Sequence, residues 1–485
     1  MSATRPAPRT RGQGAKTSDA SPISPRLAVF ARRALVAYII VWGVEGAIRK
    51  WIPGTDQLLY VARDLTLAVC LVMVAILSVR RRPTAWWPIF WASALVLFCL
   101  AMVGMIRAGY PPLVAITGIR NYLAPVMILA FVATSAPLGV LDLAKRTISW
   151  LVLANLPIVI LQVLSPPEAP INHEVVSDAA HFVNNGVVRA SGLYSAPAGL
   201  SALVALALAV ALGEFFRRGG RVWLHGAAAG AAIAIVALGG ARSNVLAMAI
   251  TFAALVWIVV ARNQFRLLGR LLISALALTS LMAGIAMAFP QVLDSFSLRF
   301  EQAAASEDSL ERLIRQAFGF LSEDFTLLGN GPGANSTAAV SSGATAPTEW
   351  AETETIRWVV ELGLLGYALA AARLVIVAGL LIHFMLNARH RSPTLLLVSV
   401  TIATSLLYGS LTTQPSTQGA LGIALALHWL ETANERGGLA VGQLGARPNG
   451  NPSRSQWSHR QAVQPAESHH QFTRVRAVHA SSKGG

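Results

Sequence analysis

The sequence predicts an all-α, polytopic integral membrane protein: about 12 transmembrane helices, with a large outer loop carrying short amphipathic helices. Three observations predict it. The chain is 54% hydrophobic and only 13% charged, with a mean hydropathy of +0.55, whereas soluble proteins carry roughly 25% charged residues. Apolar runs long enough to cross hydrocarbon, roughly 17 to 25 residues, recur along most of its length. Basic residues alternate in side: 27 of the 39 Lys and Arg fall on tails and short loops that one arrangement, both termini inside, assigns to the cytoplasm. The net charge of +16 therefore reads as basic cytoplasmic loops rather than a nucleic-acid surface. Cys70 and Cys99 both lie in apolar segments, which gives neither a disulfide framework nor a thiolate metal site.

Residues 1–32 are rich in Arg, Pro, Ser and Ala and predict a disordered basic cytoplasmic tail, with no short apolar core ahead of a cleavage site. Spans are predicted near 33–48, 58–79, 86–106, 121–136, 147–164, 194–216, 222–240, 244–261 and 271–289, so 33–289 holds the first nine. The fourth admits an earlier start at Leu113. The loop 290–361 follows, then spans near 362–386, 394–411 and 417–431 within 362–431, and a second disordered cytoplasmic tail, 432–485. The long loops 165–193 and 290–361 then face outward. Within the second, Leu310, Leu313, Ile314, Ala317, Phe318 and Leu321 recur at helical spacing behind a possible cap at Asp308 or Ser309. That spacing predicts an amphipathic lid.

Charges are few and placed where they are costly, since an ionised group near the bilayer centre costs at least roughly 2.5 to 3.5 kcal/mol. Glu45, Arg49 and Lys50 end the first span, Arg63 and Asp64 open the second, and Glu45 with Arg49 has the i,i+4 spacing of a helical ion pair. Two readings stay open for this group: a cluster fixing helix ends, or a diphosphate or sugar contact. Arg120, Arg189 and Arg242 are lone arginines at predicted outer boundaries, flanked by small residues. Each either snorkels to headgroups or offers a guanidinium fork to phosphate oxygens. Arg373 stands alone within a span. His173 and His181 match no familiar metal spacing, and His225, His383 and His428 read as structural. There is no P-loop, Rossmann glycine pattern or G-x-S-x-G.

The outer loop ends in the chain's most unusual stretch. L-G-N-G-P-G-A (Leu328 to Ala334) precedes an acidic run, Glu349, Glu352 and Glu354, and a span opening on E-L-G-L-L-G (Glu361 to Gly366). Glu361 reads as helix entry and close packing, or as a partner of Arg357 or another arginine.

Taken together these pieces resemble the O-antigen ligase and O-antigen polymerase superfamily over roughly residues 120–430. The resemblance is carried by R-A-S-G-L-Y-S (Arg189 to Ser195), A-R-S-N-V-L (beginning Ala241), the E-R-L-I-R helix, L-L-G-N-G-P-G and E-L-G-L-L-G, in that order. The N-terminal E-G-A-I-R-K-W and R-D-L look like a subgroup associated with exopolysaccharide systems. The resemblance implies a cofactor-free, metal-independent transferase in the bacterial inner membrane. Its partners would be an undecaprenyl-diphosphate-linked oligosaccharide, a saccharide acceptor, membrane lipid and possible chain-length regulator or export proteins. It also implies that Arg189, Arg242 and Arg312 serve the diphosphate; Arg120, Arg315, Glu354, Arg63 and Arg49 are further candidate substrate contacts, from their positions in the sequence. The family histidine is missing, and its place falls on Glu352, a carboxylate competent as a general base. A lipid-oligosaccharide transporter or flippase, and a non-catalytic envelope subunit, are the competing classes; no inverted repeat or paired broken helices favour the transporter.

Overall fold

The computed structural model describes residues 25–52, 54–55, 62, 65–66, 68–73, 75–76, 86–135, 140–174, 183–184, 187–217, 222–239, 241–264, 309–324, 326–335, 339, 353–409 and 415–445, with scattered single residues between 269 and 290. The chain forms two compact units, Met1–Glu435 and Arg436–Gly485. The first carries everything described below. Its helices are α1 (Pro25–Trp51), α2 (Trp86–Ala108), α3 (Pro112–Ser135), α4 (Leu141–Leu164), α5 (Pro197–Phe215), α6 (Val222–Gly239), α7 (Arg242–Ala261), α8 (Ser309–Phe318), α9 (Glu354–Leu362), α10 (Leu364–Asn387) and α11 (Pro393–Tyr408). A twelfth, α12 (Pro415–Gly445), continues into the second unit. The strand content among the described residues is one tiny hairpin, β1 (Val183–Asn184) on β2 (Val187–Val188).

Seven of these helices, α2 to α7 and α10, contain stretches long and apolar enough to cross a membrane. The protein is therefore an α-helical, membrane-embedded one. Proline opens α1, α3, α5, α11 and α12, where its missing N–H costs no hydrogen bond and its fixed φ suits the first turn. Ser392 caps α11 by accepting from the Leu395 amide at 3.1 Å. Helices α5 and α6 form the centre, with 72% of their apolar windows buried against 22% for α2 and α10. The outer faces of α10 keep Val375 and Leu386 exposed, as a lipid-facing surface requires. Helix α5 packs on α4, α6 and α11, and α11 on α10 and α7. Gly213 permits the α5–α11 approach: a Cβ there would stand 2.5 Å from the Thr394 Cα.

Several predicted boundaries need correction. Helix α1 starts at Pro25, so 25–32 is not tail, and α12 runs on to Gly445, beyond the predicted limit at 431. Helix α3 starts at Pro112, which puts Arg120 inside the helix rather than at its boundary. Lys145, which a span starting at 147 leaves in an inner loop, is a 2% exposed residue of α4. Helix α9 lies within the stretch read as loop; its polar residues face a protein interior rather than water, so its pattern hides from hydropathy. Most of the predicted span 271–289 and half of 58–79 fall outside the described residues.

Candidate functional site

The glycine motif and the E-L-G-L-L-G motif form one joint. Gly363, at φ +60, breaks the chain between α9 and α10, a conformation glycine adopts without a Cβ clash. Across this break the loop 327–335 pairs by backbone: Asn330 N–H donates to Val360 O at 2.8 Å, Gly331 N–H to Glu361 O at 2.9 Å, and Leu364 N–H to Leu327 O at 3.2 Å. The same loop lies directly on α2 and α3. A Cβ on Gly104 would stand 2.5 Å from Asn330 O, and one on Gly118 2.2 Å from Pro332 O.

Glu361 closes the joint. It is 0% exposed, and its carboxylate receives four donors from three separate segments. Arg357 Nε (2.9 Å) and Asn335 N–H (3.0 Å) reach Oε1, while the Tyr122 hydroxyl (2.9 Å) and Gly333 N–H (3.0 Å) reach Oε2. Burial pulls the Arg357 guanidinium down, yet the adjoining Glu361 carboxylate raises it above its ordinary value. At the edge of this joint the Asn335 side-chain amide and the Tyr110 hydroxyl are buried without hydrogen-bond partners among the described residues.

A second joint unites E-G-A-I-R-K-W with R-A-S-G-L-Y-S. Lys50, buried at the end of α1, donates to Ser191 Oγ at 2.9 Å and Gly192 O at 2.7 Å. Burial lowers its pKa to about 7, against the pull of Glu174. Gly192 takes φ +58, its N–H donating to Gln162 Oε1 at 2.8 Å while Leu193 N–H donates to Asn155 Oδ1 at 2.9 Å. Gly46 lets α1 meet this turn, because a Cβ there would stand 2.1 Å from Ser195 N. Trp42 stacks at a tilt on Tyr194, 5.3 Å between centroids, and donates to Ser416 O at 2.7 Å.

The remaining sequence-predicted residues are spread around these joints. Arg189 is half-buried between β2 and the pinned turn. Arg49 pairs with Glu45 at 3.5 Å, one helical turn away. Arg120, half-buried, donates to Asn121 Oδ1 at 3.2 Å. Arg242 opens α7 only three residues after α6 ends, and Arg312 lies in α8; neither side chain is among those described. Arg315 is exposed on α8, and Glu354 is buried in the first turn of α9, accepting from Trp358 Nε1 at 2.8 Å. Arg63, Glu349, Glu352 and His181 fall outside the described residues. Tyr122 and Asn335 were not singled out in advance. Tyr122 stands two positions after Arg120 as a hydroxyl in an apolar helix, and that is the signal that marks it.

The opposite end of the bundle holds its own charges. Lys145 of α4 meets Glu214 of α5 at 2.6 Å and Glu431 of α12, with Thr394 of α11 donating to Glu214 at 2.8 Å. Arg217 approaches both acids, at 3.6 and 3.7 Å. Helix connectivity puts this cluster at the starts of α4 and α11 and the end of α5, and so puts both motif joints at the other end. His225 and His428 bond Ser149 and Ser399 at 3.1 and 3.0 Å, as packing residues do. Among the described residues no three His, Cys, Asp or Glu side chains gather as metal ligands. No family model, curated protein or solved structure matches the chain.

Proposed function

We propose that this protein is a glycan polymerase or ligase that transfers undecaprenyl-diphosphate-linked saccharide to an acceptor hydroxyl on the periplasmic face of the bacterial inner membrane. One observation carries the reading: four motifs far apart in sequence pair into two joints at one end of an apolar helix bundle. That end is opposite the Lys145 cluster, on the side that the distribution of basic residues assigns to the exterior. In this reading both termini are cytoplasmic, about twelve spans cross the membrane, and the loop 290–361 covers the periplasmic end.

The reaction is a displacement at the anomeric carbon. The acceptor oxygen forms a bond to that carbon as the bond to the lipid diphosphate breaks, and the diphosphate leaves on its lipid. Glu352 takes the acceptor proton. Arg189 and Arg242 hold the diphosphate and offset the charge that grows on it. Arg120, Arg312, Arg315 and Glu354 are further candidates for substrate contacts. Arg49 is engaged by Glu45 and acts first on helix geometry. No metal ion has a role in this scheme.

The test is transfer by purified protein given native undecaprenyl-diphosphate oligosaccharide in EDTA. Longer or transferred glycan is expected from the unaltered protein and at least a hundredfold less from Arg242→Ala and Glu352→Gln, within the range that loss of a positioned acid–base group gives, roughly 10²–10⁴. Lipid binding without turnover would point instead to a carrier or assembly subunit.

A further inference from the structure

Arg373 is a cation inside α10, nine residues from the helix start, or about 14 Å along the axis at about 1.5 Å per residue. That is close to half the depth of a hydrocarbon core about 30 Å thick. The residue is 3% exposed. A guanidinium does not give up its proton in proteins, so its charge persists there. Its Nε and Nη1 atoms are buried without hydrogen-bond partners among the described residues. What holds it is a face contact, with the guanidinium carbon 5.4 Å from the centre of the Trp358 ring. Glu354 acts on Arg373 through space, but its Oε1 is turned to Trp358 Nε1.

A second set of unused donors lies beside it. Thr353 precedes the nine-residue α9 yet makes no side-chain cap, and its hydroxyl is buried without a partner among the described residues. The first-turn amides of α9 therefore lack a side-chain acceptor from their own cap residue, at the end of the helix where partial positive charge collects. Trp358 is the middle residue of α9, and Glu354, which opens the helix, acts on Arg373 through space, so the guanidinium lies beside the first half of α9. Guanidinium, hydroxyl and helix N-terminus share one complementary ligand chemistry, an oxyanion.

We infer that Arg373, Thr353 and the first turn of α9 form a phosphate-oxygen binding site within the bundle, apart from Arg189 and Arg242. The inference rests on the lipid-diphosphate reading above and adds a second point of phosphate contact to it. A lipid-borne diphosphate and free diphosphate present the same oxygens. Glu354 lies near enough to discourage a highly charged ion without a compensating cation, and Arg373 is that cation.

The experiment uses the full chain in lipid nanodiscs with three probes: undecaprenyl diphosphate, undecaprenol and inorganic diphosphate. The unaltered protein should bind undecaprenyl diphosphate and not undecaprenol. Arg373→Met should remain folded without ligand and should bind at least tenfold more weakly. Thr353→Val should weaken binding severalfold, and decides the matter alone if Arg373→Met does not fold. Binding of inorganic diphosphate only, lost in both variants, supports the site and removes the lipid as its source. Unchanged affinities in both folded variants overturn the site and leave the transfer assay untouched. A lower melting temperature in Arg373→Met that Glu354→Gln restores identifies a structural ion pair and overturns the site too, as does an unaltered protein that binds neither phosphate probe.

Discussion

Glu361 shows what a single carboxylate can organise. It compensates Arg357, receives the Tyr122 hydroxyl from α3 and takes two amides of the glycine loop. Replacing it with Gln leaves the Arg357 charge buried and uncompensated, and breaking such a pair costs about 3 to 5 kcal/mol. Glu361→Gln should therefore lower the unfolding midpoint markedly, whereas Arg357→Met combined with Glu361→Gln, which removes the buried charge and keeps an amide oxygen as acceptor, should lose less. Equal losses in single and double variants would show that charge compensation is not its role. The Arg357 contact was legible in the sequence because i,i+4 spacing fixes it on one helix. The Tyr122 contact was not, because its partner lies 239 residues away and no local spacing encodes it. For the same reason Lys50 could be read as a member of a charged helix end but not as the donor that pins Gly192.

At the scale of elements, the glycine-rich stretch is a packing surface. Its backbone is laid against two helices that carry glycine where it crosses them. Alanine is a better helix former than glycine by about 1 kcal/mol, so Gly118→Ala would stabilise α3 in isolation. In the folded protein the new methyl meets the Pro332 carbonyl, and overpacking of this kind costs about 1 to 3 kcal/mol. The variant should melt lower and exchange the amides of 329–335 faster. Gly230→Ala, in α6 with nothing within 4 Å of the added carbon, should be neutral or stabilising and serves as the control. Long uniform apolar runs made α2, α5, α6 and α7 readable almost to the residue. Helix α9 was missed because it is nine residues long and buries Glu354, Arg357 and Glu361, which reads as a polar loop until its partners are known.

At the scale of the whole molecule, the two ends of the bundle differ in kind. One carries the motif joints, with glycine turns and long connections; the other carries short connections and neutralised charge. The orientation proposed above rests on the distribution of basic residues. In a background lacking Cys70 and Cys99, the exposed positions Glu168→Cys and Arg389→Cys should label differently with a membrane-impermeant maleimide. Glu168→Cys should react in cells with a permeabilised outer membrane, and Arg389→Cys only after the inner membrane is opened. The reverse pattern would put the motif joints in the cytoplasm and end the transferase reading.

The Lys145 cluster bears on how the chain is made. Lys145 and Glu214 are synthesised early, while Thr394 and Glu431, which complete their bonding, arrive some 180 and 286 residues later. Until they arrive, Lys145 and Glu214 have only each other and Arg217 from this cluster as partners. Without α12 two cations, Lys145 and Arg217, face one acid, Glu214, and the seam carries an excess positive charge. Helix α12 therefore closes a charge balance that the earlier helices leave open.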